Sequence, residues 1–107
     1  MTVAGFDELI HPSTRLSLVA LLAGADWVEF GFMRDELGLS DSALSKQLST
    51  LEEAGYVSQR RPTSGRGRRV HVRLTDRGRR AFEGHVAALH AITNGVGAQA
   101  PGGAGRR

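Results

Sequence analysis

A chain of 107 residues with no cysteine and a formal net charge of +3 has room for one hydrophobic core. The missing cysteines exclude a disulfide scaffold, thiolate metal ligation and a thiol nucleophile. No apolar run approaches the roughly 18 residues a membrane span needs, and Asp7 and Glu8 stand where a secretory leader would be basic, so a cytoplasmic location is expected. Nine of the thirteen arginines fall within 60–80, where Asp76 is the only acid, whereas the first 59 residues carry nine acids against Arg15, Arg34 and Lys46. An acidic part joined to a basic part is the asymmetry expected of a nucleic-acid binder.

Phe6, Leu9 and Ile10 have helical spacing, which predicts a short N-terminal helix that Pro12 interrupts. Pro12 and Ser13 then suit the start of a helix reaching Ala23, with Gly24 at its end. Leu16, Val19, Ala20 and Ala23 form one apolar stripe on that helix, and Leu18, Leu21 and Leu22 fall on other faces. A helix apolar on several sides needs cover on several sides, and in so small a domain a second subunit is the expected second cover. Residues 27–30 read as a short strand, 30–37 as a brief helix, and Gly38 as its turn.

The helix predicted over 40–54 has Ser40 as N-cap, Asp41 in its first turn and Gly55 as a left-handed stop. Leu44, Leu48 and Leu51 recur at helical spacing and point inward. Ser42, Lys46, Ser49 and Glu53 lie opposite them, with Ser45 and Thr50 on the flanks. Serine is a weaker helix former than the Glu, Lys and Gln that ordinarily fill a solvated face, so small hydroxyls around one lysine suit close approach to a groove wall.

Residues 56–61 and 69–74 read as two strands joined by the loop Thr-Ser-Gly-Arg-Gly-Arg at 63–68. Val70, Val72 and Leu74 alternate with Arg69, His71 and Arg73. Thr75 caps a last helix predicted to about Thr93, with Phe82, Val86, Leu89 and Ile92 as its seam and Asn94-Gly95 as its stop. Arg77, Arg79 and Arg80 open that helix, where cations oppose the helix dipole, which hints at another role for them or at a balance with acids elsewhere. Residues 95–107 are too poor in apolar side chains to build a core, so 1–94 is the expected domain and 95–107 an expected disordered tail.

Helices, a short strand, two more helices, a hairpin and a final helix make an α+β, mainly α, winged helix-turn-helix: a three-helix core, a two-stranded wing, and additional N- and C-terminal helices. The strings RLSLVALLAG, FGFMRDELGLSDSALSKQLSTLEEAGYV and VRLTDRGRRAF resemble winged-helix regulators of the MarR type, in their short single-domain branch, over about residues 6–89. The resemblance implies a transcriptional regulator, by family a repressor, whose helix at about 40–54 enters the major groove of double-stranded DNA while a wing at about 62–69 reaches the backbone or minor groove. It also implies a homodimer joined by the terminal helices.

Read from the residues themselves, Ser42, Ser45, Lys46 and Ser49 are the groove-facing candidates, with Ser40 and Asp41 at the helix start. Asp41 would repel phosphate, so its favoured role is stabilising the helix start. In the wing Arg66, between Gly65 and Gly67, leads as a DNA contact, followed by Arg68 and Arg69. Leu9, Leu18, Leu22, Phe82, Val86 and Leu89 are the dimer candidates. Trp27, Phe30, Phe32, Tyr56 and Phe82 are expected in the core or an interface.

An enzyme is disfavoured, because His11, His71, His85 and His90 are not spaced as a nucleophile–base pair. A metal-sensing repressor would draw on Glu83, His85 and His90 across a dimer, yet His85 and His90 lie five apart, off a common helix face. Surface histidines are the simpler account, and no metal or cofactor is expected. A winged-helix protein-interaction module with an acidic partner is the alternative of a different class.

Overall fold

Seven elements follow one another along the chain: α1 (Ser13–Ala23), β1 (Val28–Glu29), α2 (Phe30–Leu37), α3 (Asp41–Glu53), β2 (Val57–Arg60), β3 (His71–Leu74) and α4 (Asp76–Gln99). The computed structural model describes residues 3–62 and 69–99, with side chains up to residue 95. The two central helices and their connection form the helix-turn-helix, and the strands form one antiparallel sheet in the order β1-β3-β2. The wing expected as two strands therefore gains a third: Val28 faces Val72 and Glu29 faces His71 on the other side of β3.

The core follows from the leucine spacing. Leu44, Leu48 and Leu51 of α3 are wholly buried, together with Leu18, Val19 and Leu22 of α1, Met33 of α2 and Val72 of β3. Deleting one such leucine side chain costs about 2–5 kcal/mol. The inward face of α1 differs from the expected stripe, because Leu16 is only half-buried and Ala20 is exposed. Leu18 and Leu22, expected at a subunit interface, are 0% exposed within one chain and have no surface left to offer a second copy. Sequence periodicity could not rank two apolar faces of one helix; packing against α2, β3 and α4 does.

Local chemistry sets the helix ends. The Ser40 hydroxyl accepts from the Ala43 amide at 3.1 Å, and the Thr75 hydroxyl accepts from the Gly78 amide at 3.0 Å while donating to the Gly55 carbonyl at 2.6 Å. Gly55, at φ +81°, closes α3, and the Tyr56 amide donates back to the Leu51 carbonyl at 2.9 Å. Gly78 serves a different need: a Cβ there would stand 2.1 Å from the Tyr56 carbonyl oxygen, so α4 begins in direct contact with backbone.

Two predicted boundaries change. Residues 8–10 form a turn and not a helix, because Asp7 Oδ1 accepts from the Leu9 and Ile10 amides at 2.9 and 3.2 Å and Pro12 blocks continuation. At the other end α4 runs through Asn94-Gly95 to Gln99, since a helical glycine costs only about 1 kcal/mol and does not forbid the next turn. Its inward face is Gly78, His85 and Ala88; Phe82, Val86 and Leu89 are half-buried beside that face, and Ile92 is 39% exposed.

Candidate nucleic-acid interface

Burial of the three leucines turns the opposite side of α3 outward. Ser42, Ser45, Lys46 and Ser49 are all exposed there, preceded by exposed Ser40 and Asp41. Among the described residues Lys46 has no carboxylate within ion-pair distance. The helix position is held from behind: Arg15 donates to the Leu9 carbonyl at 2.6 Å and to Gln47 Oε1 at 2.9 Å, joining α1 and the N-terminal turn to α3.

Asp41, in the first turn of α3, is paired with α2. Arg34 of α2 reaches across the Gly38 turn and donates to Asp41 Oδ1 at 2.9 Å and to Asp35 Oδ1 at 2.9 Å. Hydrogen bonds to Asp35 and then Asp41 hold the guanidinium even further above its ordinary range. The carboxylate that would repel phosphate is thus partly neutralised. Arg34 was not singled out from sequence; its position seven residues before Asp41, with a left-handed glycine between, is the signal that could have found it.

The wing meets this helix at its base. Gln59 of β2 donates to Glu52 of α3 at 2.9 Å, and Arg69 pairs with Glu29 of β1 at 3.2 Å. Between the wing base and the first half of α3 lies an open cavity of about 460 Å³, bordered by Glu29, Arg34, Asp41, Ser45, Arg61 and Arg69. Its walls alternate in charge. Arg69 remains largely exposed despite its pair, with 71% of its side chain open to solvent. Arg66 and Arg68, the leading wing candidates, lie outside the described residues.

Two of the three arginines opening α4 have work within the fold. Arg79 donates to the Ala23 carbonyl at 3.1 Å, satisfying an end of α1, and Arg77 packs along Gly55. His85 corrects the surface assignment: it is 0% exposed. Its Nδ1 accepts from the Asp7 amide at 3.0 Å, so the ring proton resides on Nε2 and is donated to His11 Nδ1 at 3.3 Å. Both ring nitrogens are thus engaged in hydrogen bonds. Phe6 packs against both imidazoles. Asp7 Oδ2 also accepts from the Tyr56 hydroxyl at 2.5 Å, and burial followed by this bond pushes the phenol up to about 12. Among the described residues no three His, Asp or Glu side chains gather to hold a metal ion.

A helix-turn-helix with a serine-and-lysine outer face and a sheet packed at its end corresponds to a known family. Residues 14–93 match the family described as winged helix DNA-binding domain. The chain belongs to that family. Relatives include the uncharacterized protein MJ0432 of Methanocaldococcus jannaschii, 27% identical over 90 residues, covering 83% of this chain and 97% of the relative. The uncharacterized HTH-type transcriptional regulator YdgJ of Bacillus subtilis is 36% identical over 70 residues, covering 65% of this chain and 42% of YdgJ. This winged helix therefore spans less than half of that regulator. A transcriptional regulator homologue from Pyrococcus horikoshii has the same fold, with a TM-score of 0.78 at 22% identity over 84% of this chain and 89% of that one. This chain also shares its fold with a zinc-responsive MarR family member, ZitR of Lactococcus lactis, at a TM-score of 0.58 and 21% identity over 82% of this chain and 62% of that one. No helix among the described residues of this chain is long and apolar enough to cross a membrane.

Proposed function

We propose that the protein is a cytoplasmic, sequence-specific repressor that binds double-stranded DNA as a homodimer. The observation that carries this reading is the outer face of α3, where Ser42, Ser45 and Ser49 stand exposed around Lys46, a cation with no acidic partner among the described residues. In the major groove Lys46 would meet a phosphate or a guanine edge, and the serine hydroxyls would contact bases or phosphates as donors or acceptors. Arg66, Arg68 and Arg69 of the wing would meet the adjoining backbone or minor groove.

The dimer reading draws on the surface left after the core is packed. Leu9, Phe82, Val86 and Leu89 are half-buried in one chain, and Ile92 at the outer part of α4 is exposed. A second copy covering this seam would set two α3 helices about one DNA turn, roughly 34 Å, apart. Gel shifts with fragmented genomic DNA, using wild type, Lys46→Ala and Arg66→Ala, test the reading. Both substitutions should weaken binding. Unchanged affinity in both would favour a protein-interaction module that takes an acidic partner on the same surface.

A further inference from the structure

The one tryptophan of the chain is placed outside the hydrophobic cluster. Trp27 is half-buried just before β1, on the sheet face turned away from the core. Two guanidinium groups lie over its indole: Arg60 Cζ is 4.2 Å and Arg73 Cζ 5.4 Å from a ring centroid. The register explains the meeting. Val28 opposite Val72 brings Trp27 alongside Arg73, and Arg73 opposite Ser58 puts Arg60 two residues further along the neighbouring strand.

Both arginines are exposed, and among the described residues neither has a carboxylate within ion-pair distance. Nearby Arg69 is, by contrast, paired with Glu29. Two like charges are thus gathered at one indole by the ring quadrupole, without an acid among the described residues to neutralise them. A surface prepared in this way fits a ligand carrying regularly spaced anions. It also faces away from α3, whereas Gln59, on the other side of the same strand, bonds to Glu52. The groove segment read by α3 therefore lies on the other side of the sheet.

We infer that Trp27 is a positioning residue holding Arg60 and Arg73 as a second cationic surface, one that takes the phosphodiester backbone of DNA flanking the segment met by α3 and the wing. This rests on the DNA-binding reading, and the test separates the two. A duplex selected from a random-sequence pool by the full chain is made in two lengths, about two helical turns and the same sequence extended by about one turn at each end. Affinity for each is measured across salt concentration. Wild type should bind the longer duplex more tightly, and log K should fall more steeply with log salt, by about 0.9 for each added phosphate contact.

Arg60→Ala/Arg73→Ala should abolish the length-dependent gain and keep affinity for the short duplex. Trp27→Ala should lose most of the gain and Trp27→Phe should retain it, because a phenyl ring still offers a π face. Trp27 emission should shift on adding the long duplex and not the short one. Should Trp27→Ala lose its helical circular dichroism, the exposed arginine pair alone decides. The inference is overturned if wild type gains nothing from the flanks, or if the arginine double variant gains as much as wild type. Failure to select any duplex, or Lys46→Ala binding both lengths like wild type, overturns the DNA-binding reading itself.

Discussion

Acid should loosen this fold through His85, and the sign follows from its hydrogen bonds. Burial, then the neighbouring His11, lowers its pKa below the ordinary imidazole value, with Asp7 opposing. Unfolding exposes the ring, whose pKa returns to about 6.5. Below that value the unfolded chain takes up a proton that the folded chain refuses. Stability is then fully present above about pH 6.5 and declines as pH falls toward the lowered folded value. One proton limits the slope to about 1.4 kcal/mol per pH unit. Once His85 is charged, its Nδ1–H confronts the Asp7 N–H in place of accepting from it. The assay is urea unfolding at fixed protein concentration between pH 7.5 and 5. His85→Leu should leave the Asp7 amide unsatisfied, costing about 1–3 kcal/mol at neutral pH. It should also flatten the acid slope. His85→Gln can accept from Asp7 and donate to His11, so it should be equally flat with a smaller loss. An acid slope as steep in either variant as in wild type would refute the reasoning.

Three further substitutions probe other joints. Gly78→Ala should cost more than about 3 kcal/mol, beyond the usual overpacking range, because its Cβ would meet the Tyr56 carbonyl at 2.1 Å; on thermal unfolding each kcal/mol is about 4–8 °C in a domain of this size. Ser40→Ala removes the cap of α3 and should cost about 1 kcal/mol by urea unfolding, with the helical signal at its native value before the transition. Tyr56→Phe removes the donor to Asp7 and should cost about 1 kcal/mol; an increase in stability would mean that this bond is strained.

Periodicity and capping chemistry made much of the fold readable. The leucine spacing of α3, the serine and threonine caps, the left-handed Gly55 and the alternation in β3 each act within a few residues, so adjacency in sequence reports them. The face of α3 opposite its leucines was legible for the same reason. What escaped depends on distant partners. Nothing near His85 in sequence reveals that Asp7, 78 residues earlier, donates to it, so a buried relay looked like a surface histidine. The expected N-terminal helix gave way to a turn because one aspartate side chain took over the backbone amides. Leu18 and Leu22 looked like spill-over faces until α1 was enclosed on two sides by its own chain. Arg60 and Arg73 are thirteen residues apart in sequence, and only the strand register brings them together over Trp27.

The salt dependence of binding to a selected duplex tests the central claim most directly. If each half of a homodimer presents Lys46 and the wing arginines to DNA, neutralising about 6–10 phosphates in all, affinity should fall by about 10³–10⁵ between 50 and 200 mM salt. Lys46→Ala should make that fall shallower in either case where the lysine meets a phosphate. A wild-type affinity that stays level across this salt range would contradict the account.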